Sequence, residues 1–235
     1  MSTLFQDRKQ AGKELAIKLK TYLMQLKDDD LNEYDNKKIT ELLIVVAIPR
    51  GGVVLGDIIA SEFHCNLDIV VSKKIGAPFN KEIAIGAVMP DGRYFINGRI
   101  VNMLDISENY IHNEVEFQKM EIERRLKEFR GYTGYDKLSG KIVILVDDGI
   151  ATGSTIIAAS QWLKEGKYSC KKLIVAVPVA PGTDETIDKL NQIADKVIIL
   201  YTPAEFSAVG QFYKQFDQVT DYEVKTIMNR YKKNG

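Results

Sequence analysis

Neither sign of charge is in excess in this chain: Lys and Arg together number 32, Asp and Glu 32, and the formal net charge is zero. General nucleic-acid binding usually shows as a basic surplus, so no nucleic-acid partner is expected, while a local basic site for a small anion is untouched. Cysteine is scarce. Cys65 and Cys170 stand far apart without a Cys-x-x-Cys, and only His64 beside Cys65 offers a neighbouring metal-type ligand. The pair reads as inert thiols of a reducing compartment, neither a disulfide framework nor a metal centre. No stretch reaches the ~20 apolar residues that a membrane helix requires. The opening MSTLFQDRKQ meets charge too early for a signal peptide, so a cytoplasmic protein with no membrane partner is expected. Two nucleotide-binding fingerprints are missing as well. The turn from Gly149 to Thr155 has no lysine before its hydroxyl pair, which excludes a Walker A loop, and no GxGxxG occurs.

What is present is an ordinary globular composition, 45% hydrophobic and 27% charged over 235 residues. A chain of that length buries roughly 70% of its unfolded surface, so it needs no covalent or metal staple. Residues 4–26 repeat Leu15, Ile17, Leu19, Leu23 and Leu26 at helical spacing, up to the acidic run 28–30, which reads as a solvated loop. The run 42–48 is continuously apolar and ends in Pro49-Arg50-Gly51-Gly52, as a strand buried on both faces does. A helix is expected over 53–63 and strands over 68–72, 83–89 and 94–96, with a charged helical insertion over 106–130. Strands at 141–146, 172–178 and 196–201 then alternate with helices at 154–165 and 184–193. That alternation implies a mainly parallel sheet flanked by helices, an α/β fold. The expected division is a core over 1–202 and a small C-terminal lobe over 203–235, with a helix at 222–231.

The most informative segment is Ile142-Val143-Ile144-Leu145-Val146-Asp147-Asp148-Gly149-Ile150-Ala151-Thr152-Gly153-Ser154-Thr155. An apolar strand runs into two acids, a turn of small and hydroxyl residues, and a helix start. Unpaired backbone N–H groups and the positive end of a helix dipole suit a phosphate there. Gly153 allows close backbone approach, and Thr152, Ser154 and Thr155 add hydroxyls. Carboxylates repel phosphate, so Asp147 and Asp148 must serve otherwise: accepting from vicinal sugar hydroxyls, or helping to hold Mg²⁺, directly or through water. Taken without context, the same residues also describe a turn followed by a helix cap.

The segment resembles the signature of type I phosphoribosyltransferases, which bind 5-phosphoribosyl-1-pyrophosphate (PRPP): two acids, two variable residues, then Ala/Asp-Thr-Gly-x-Thr. Within that family the chain is similar to a group marked by Arg50-Gly51-Gly52, Lys74-Ile75-Gly76-Ala77-Pro78 and Ala208-Val209-Gly210-Gln211. The resemblance implies that Asp147 and Asp148 take the ribose hydroxyls while Gly149, Ile150 and Ala151 to Thr155 line the 5′-phosphate cradle. Pro49, Gly51 and Gly52 would form the pyrophosphate loop, with Arg50 as a fixed fork of donors. Lys73 and Lys74 open what looks like a mobile catalytic loop that closes over pyrophosphate; the residue-level alternative is two solvated lysines at a strand end. Catalytic candidates are thus Arg50, Lys73, Lys74, Asp147 and Asp148, with Mg²⁺ as cofactor and a homodimer as the family's assembly.

The implied reaction is Mg-dependent transfer of the phosphoribosyl group to a nitrogen nucleophile, in the manner of nucleotide-salvage enzymes that act on a nucleobase. Ala151 stands where enzymes for 6-oxopurines carry an aspartate, which argues against that substrate class. Phe206, Phe212, Tyr213 and Phe216 either stack on an acceptor base as a hood or pack the tail onto the sheet. Arg124 and Arg125 read as a solvated helix face or a phosphate contact. The alternative function is a non-catalytic PRPP-binding regulator on the same fold.

Overall fold

The structure, a computed structural model, describes residues 3–29, 41–135, 138–165, 168–182 and 185–232, with the side chains of 26–29 excepted. Asp30 of the acidic run, the first residue of the helix expected at 184–193 and the last three residues of the tail lie outside that description. Contacts divide the chain into two compact units, one of residues 1–69 and 135–235, the other of residues 70–134.

The first unit is built on a five-stranded sheet. Its strands are β1 (Leu43–Ala47), β2 (Asn66–Ile69), β6 (Ile142–Val146), β7 (Lys172–Val179) and β8 (Lys196–Tyr201), in the order β2-β1-β6-β7-β8. All four pairings are parallel, and β1 and β6 run in step from Leu43 opposite Ile142 to Ala47 opposite Val146. Every residue of β1 and β6 is buried. That is why their sequences are unbroken apolar runs rather than alternating ones: both faces are covered. The covering helices are α1 (Arg8–Asp29), α2 (Gly51–Glu62), α5 (Ser154–Lys164), α6 (Glu185–Ile193) and α7 (Asp221–Tyr231). The arrangement is an α/β fold with a parallel sheet flanked by helices, as the strand–helix alternation led us to expect.

Helix α1 begins later than its apolar spacing suggested and runs on to Asp29, through the first part of the acidic run. The residues before it are occupied elsewhere. Leu4 and Phe5 donate their amides to the Phe212 carbonyl at 3.0 and 2.9 Å, and Lys214 donates to the Phe5 carbonyl at 2.9 Å. Residues 4–6 thus meet residues 212–215 in an isolated parallel bridge, with the buried Phe5 ring 5.2 Å from that of Tyr213.

The second unit is an antiparallel sheet of β3 (Lys73–Gly76), β4 (Ala84–Val88) and β5 (Tyr94–Ile96), with helices α3 (Gly98–Met103) and α4 (Glu108–Arg130). Lys73 to Gly76 forms a strand paired with β4, where the sequence suggested the opening of a loop. The strand expected over 68–72 instead closes at Ile69. Val70 and Val71 are as buried as the strand itself, so their apolarity carried no mark of where hydrogen-bonded pairing stops. Ser107 caps α4 by accepting from the Tyr110 amide, and Gly131 ends it in the left-handed region at φ 84°. Among the described residues no helix is long and apolar enough to cross a membrane.

Candidate functional site

Parallel pairing of β1 and β6 brings the loops at their carboxyl ends together. Ile48 donates its amide to the Val146 carbonyl at 2.9 Å, extending the ladder to the foot of both loops. One loop carries Pro49, Arg50, Gly51 and Gly52, with a cis bond between Pro49 and Arg50. The other carries Asp147 to Gly153. A β-carbon on Gly52 would lie 2.8 Å from the Val146 carbonyl oxygen and 3.0 Å from the Asp147 Cα, and one on Gly51 would overlap the Asp148 carboxylate. The two glycines are therefore what lets the loops lie against each other. This carboxyl edge of a parallel sheet is where open α/β folds bind ligands.

Beyond the acids, Gly153 takes φ 73° and starts α5 without any side-chain cap and without an acid in the first turn. The helix's first N–H groups are left to a ligand or water, with Thr152 and Ser154 hydroxyls 3.4 Å apart beside them. Ile150 is buried, its amide bound to the Val179 carbonyl at 2.9 Å, which fixes the turn's backbone from beneath.

Asp147 and Asp148 sit in different surroundings. The Asp147 carboxyl accepts from the Asp148 amide at 2.8 Å. Burial, and after it the negative charge of Asp148, raises its pKa well above the ordinary carboxylate range. Asp148 faces a cation that the sequence reading did not find. Arg8, at the start of α1, donates from Nε to Asp148 Oδ2 at 2.8 Å and from Nη1 to the Asp217 carbonyl at 2.8 Å. Its guanidinium lies 3.8 Å from the centre of the Phe216 ring. Tyr213 donates its hydroxyl to the Asp148 carbonyl at 2.6 Å, and burial pushes that phenol far above its usual range.

Arg50, in contrast, makes only a long contact of 3.4 Å to Asp221 at the start of α7 among the described residues and stays about one-third exposed. Phe212 and Tyr213 are buried, Phe206 lies 5.1 Å from Phe212, and Tyr213 stacks on Phe216 at 4.9 Å. Packing of the tail is thus what Phe212 and Tyr213 chiefly do.

Lys73 and Lys74 belong to the second unit. There a cavity of about 350 Å³ is lined by Lys73, Lys74 and Lys81 together with Glu114, Phe117 and Gln118. Lys74 pairs with Glu82 at 3.1 Å, and Lys81 pairs with Glu114 at 2.8 Å while also reaching the Tyr110 hydroxyl at 2.6 Å. Burial first, then the Arg125 charge, lowers the pKa of Lys73. Arg124 is committed to Glu121 and Glu128, both at 3.1 Å, so it is a paired helix-face residue. Arg125 keeps a buried Nε with no partner among the described residues.

The described residues contain no cluster of three His, Cys, Asp or Glu side chains that could hold a metal. With one carboxylate raised towards neutrality by burial and the other bound to Arg8, the acids fit a cation carried mainly by a ligand's own oxygens better than a protein-caged one.

The family model described as the phosphoribosyl transferase domain matches residues 7–200. The protein Rv0571c of Mycobacterium tuberculosis, whose name carries a provisional phosphoribosyl transferase assignment, is 35% identical over 227 residues. That alignment covers 97% of this chain and 47% of the relative, so the chain spans about half the length of the curated relatives it matches. The crystal structure of TT1426 from Thermus thermophilus superposes with a TM-score of 0.72 at 31% identity, covering 97% of this chain and 98% of that one.

Proposed function

Because this chain belongs to the phosphoribosyl transferase family, we propose that it binds PRPP across the facing loops of β1 and β6 and transfers the phosphoribosyl group to a nitrogen nucleophile, a nucleobase in the simplest case, with release of pyrophosphate. The observation that carries this reading is the close fit of Gly51 and Gly52 against Asp148 and Asp147, which makes a single ligand surface of two loops. On that surface the uncapped start of α5, with Ala151, Thr152, Gly153, Ser154 and Thr155, takes the 5′-phosphate through backbone N–H groups and hydroxyls. Asp147 and Asp148 take the ribose hydroxyls. Pro49 to Gly52 face the pyrophosphate, and the loosely held Arg50 fork is free to turn onto it.

The reaction breaks the bond between ribose C1 and the pyrophosphate oxygen, and the acceptor nitrogen supplies the electron pair of the new bond. Positive charge develops on the sugar and negative charge on the leaving diphosphate, so the protein's task is electrostatic. A bound Mg²⁺ would supply charge neutralisation on the diphosphate, with Asp147 and Asp148 as the protein side of its site, through water. Lys73 and Lys74 are proposed to stabilise the departing diphosphate. The tail from 203 onward, laced to the N-terminal strand, is proposed as the hood beside the acceptor, and the family's pattern suggests a homodimer.

Pyrophosphate release from PRPP with Mg²⁺, measured across purine and pyrimidine bases, tests the proposal. Release that depends on one base names the acceptor. PRPP binding without release for any base would move the chain to the class of PRPP-binding regulators, and no PRPP binding would sink the reading.

A further inference from the structure

We propose that Arg8 is a positioning residue of the ligand site, which fixes the Asp148 carboxylate so that one oxygen is presented to a ribose hydroxyl. The inference rests on the proposed PRPP site and adds to it a residue outside the two loops. Arg8 is held on three sides before any ligand arrives. Its Nη1 is tied to the Asp217 carbonyl, its plane lies over the Phe216 ring, and its Nε binds Asp148 Oδ2. The side chains of Arg8 and Asp148 are only 12% and 16% exposed, so this is no loose surface pair.

The backbone on either side holds Arg8 in place. Asp7 Oδ1 accepts from the Gln10 amide at 2.8 Å and caps the first turn of α1, in which Arg8 stands. The preceding residues are laced to the tail, where Gln215 donates its amide to the Gln6 carbonyl at 2.9 Å. The segments 4–8 and 212–217 therefore act as one clamp that aims a guanidinium at the site.

The consequence for Asp148 is geometric. Its Oδ2 is enclosed between the Arg8 Nε and the bare face of Gly51. The Asp147 carboxyl stands within hydrogen-bond reach of the Asp148 carboxyl, so the Arg8 contact at Oδ2 fixes the way the acid pair faces a sugar hydroxyl. A carboxylate free to rotate would offer either oxygen and would lose orientational entropy on binding; one pinned at Oδ2 does not. Lysine cannot replace Arg8. An ammonium lacks the planar fork that bonds Asp148 and Asp217 together while stacking on Phe216.

Calorimetric titration of two ligands separates positioning from mere packing: PRPP, which has the ribose hydroxyls, and inorganic pyrophosphate, which has none. Arg8→Met should weaken PRPP by about tenfold or more, the size of one charge-assisted hydrogen bond, and leave pyrophosphate within about twofold. Arg8→Lys, which keeps charge and helix, should show the same selective loss at about threefold, and it carries the test alone if Arg8→Met does not fold. Unchanged PRPP affinity in a folded variant, or equal loss of both ligands, overturns the inference while leaving the proposed function intact. A wild-type protein that binds neither ligand overturns the PRPP site itself and this role with it.

Discussion

Gly51 lies against Asp148 with no room for a β-carbon between them. The glycine is at the first position of α2 and the acid just past the end of β6, so the contact joins two loops distant in sequence. Gly51→Ala must push the carboxylate aside or reopen the loop. We expect PRPP affinity to fall by about tenfold or more, with a stability loss of about 1–3 kcal/mol from the overpacked contact. Titration calorimetry beside a denaturant melt checks both. Unaltered affinity would show that the loop relaxes without disturbing Asp148, and the joint ligand surface would then lose its support.

Asp195 supplies a pH-dependent part of the fold. Burial opposes its charge, but the Leu173 amide at 2.7 Å and Lys164 at 2.8 Å outweigh burial and lower its pKa. A carboxyl depressed in the folded state contributes stability above the unfolded value of about 4, and that contribution is lost as pH falls through the folded pKa. With the pair one-third exposed and screened, Asp195→Asn should cost about 1 kcal/mol at pH 7. As the pH is lowered from 7 to below about 4 and on through the folded pKa, the wild type approaches the variant's uncharged state, so the difference should shrink. Urea melts across that pH range give the comparison; a gap that widens towards acid would contradict the assignment.

The parts of this molecule that could be read in sequence are those where chemistry and local backbone coincide. The run 142–155 holds a buried strand, two acids, a positive-φ glycine and an uncapped helix start in one continuous stretch, so its pattern is visible without the fold. Arg8 is the opposite case. It stands among charged residues at the start of an amphipathic helix, and nothing near it in sequence distinguishes it from Lys9 or Lys13. The bridge between Phe5 and Tyr213, segments distant in sequence, is what carries it to Asp148. Lys73 to Gly76 misled for a related reason. Two lysines read as the opening of a loop or the end of a strand give no sign of a strand of their own, which forms because β4 lies beside it and Ile75 and Gly76 are buried.

Gly153 has two independent reasons to be glycine. Its φ of 73° costs other residues roughly 1 kcal/mol, and a β-carbon would overlap the Thr186 methyl group. Gly153→Ala should therefore lower the melting temperature by several degrees, at about 2–4 °C per kcal/mol for a chain of this size. Adding Thr186→Ser removes the methyl and should return only part of the loss, since the backbone cost stays. A double-mutant cycle reads that coupling directly. Complete recovery would assign the whole effect to the side-chain clash and leave none to the left-handed backbone.

Lys73 and Lys74 are adjacent in sequence but not equivalent. Lys74 is half exposed and paired with Glu82 at the surface. Lys73 is more enclosed, its pKa is lowered by burial and then by Arg125, and no counter-ion is within ion-pair distance among the described residues. A partly desolvated cation gains more from an arriving anion than a solvated, already paired one. If these lysines stabilise departing diphosphate, Lys73→Ala should slow pyrophosphate release by about tenfold to a hundredfold. Lys74→Ala should slow it by no more than about threefold, because its charge is already partly spent on Glu82. PRPP affinity should fall less than turnover in either, because the diphosphate is charged before the reaction and gains further charge as the bond to C1 breaks. Steady-state turnover with the responsive acceptor, set beside PRPP titrations, decides the order. Equal effects would make the two lysines a common electrostatic background, and a larger effect at Lys74 would show that the Glu82 pair opens when substrate binds.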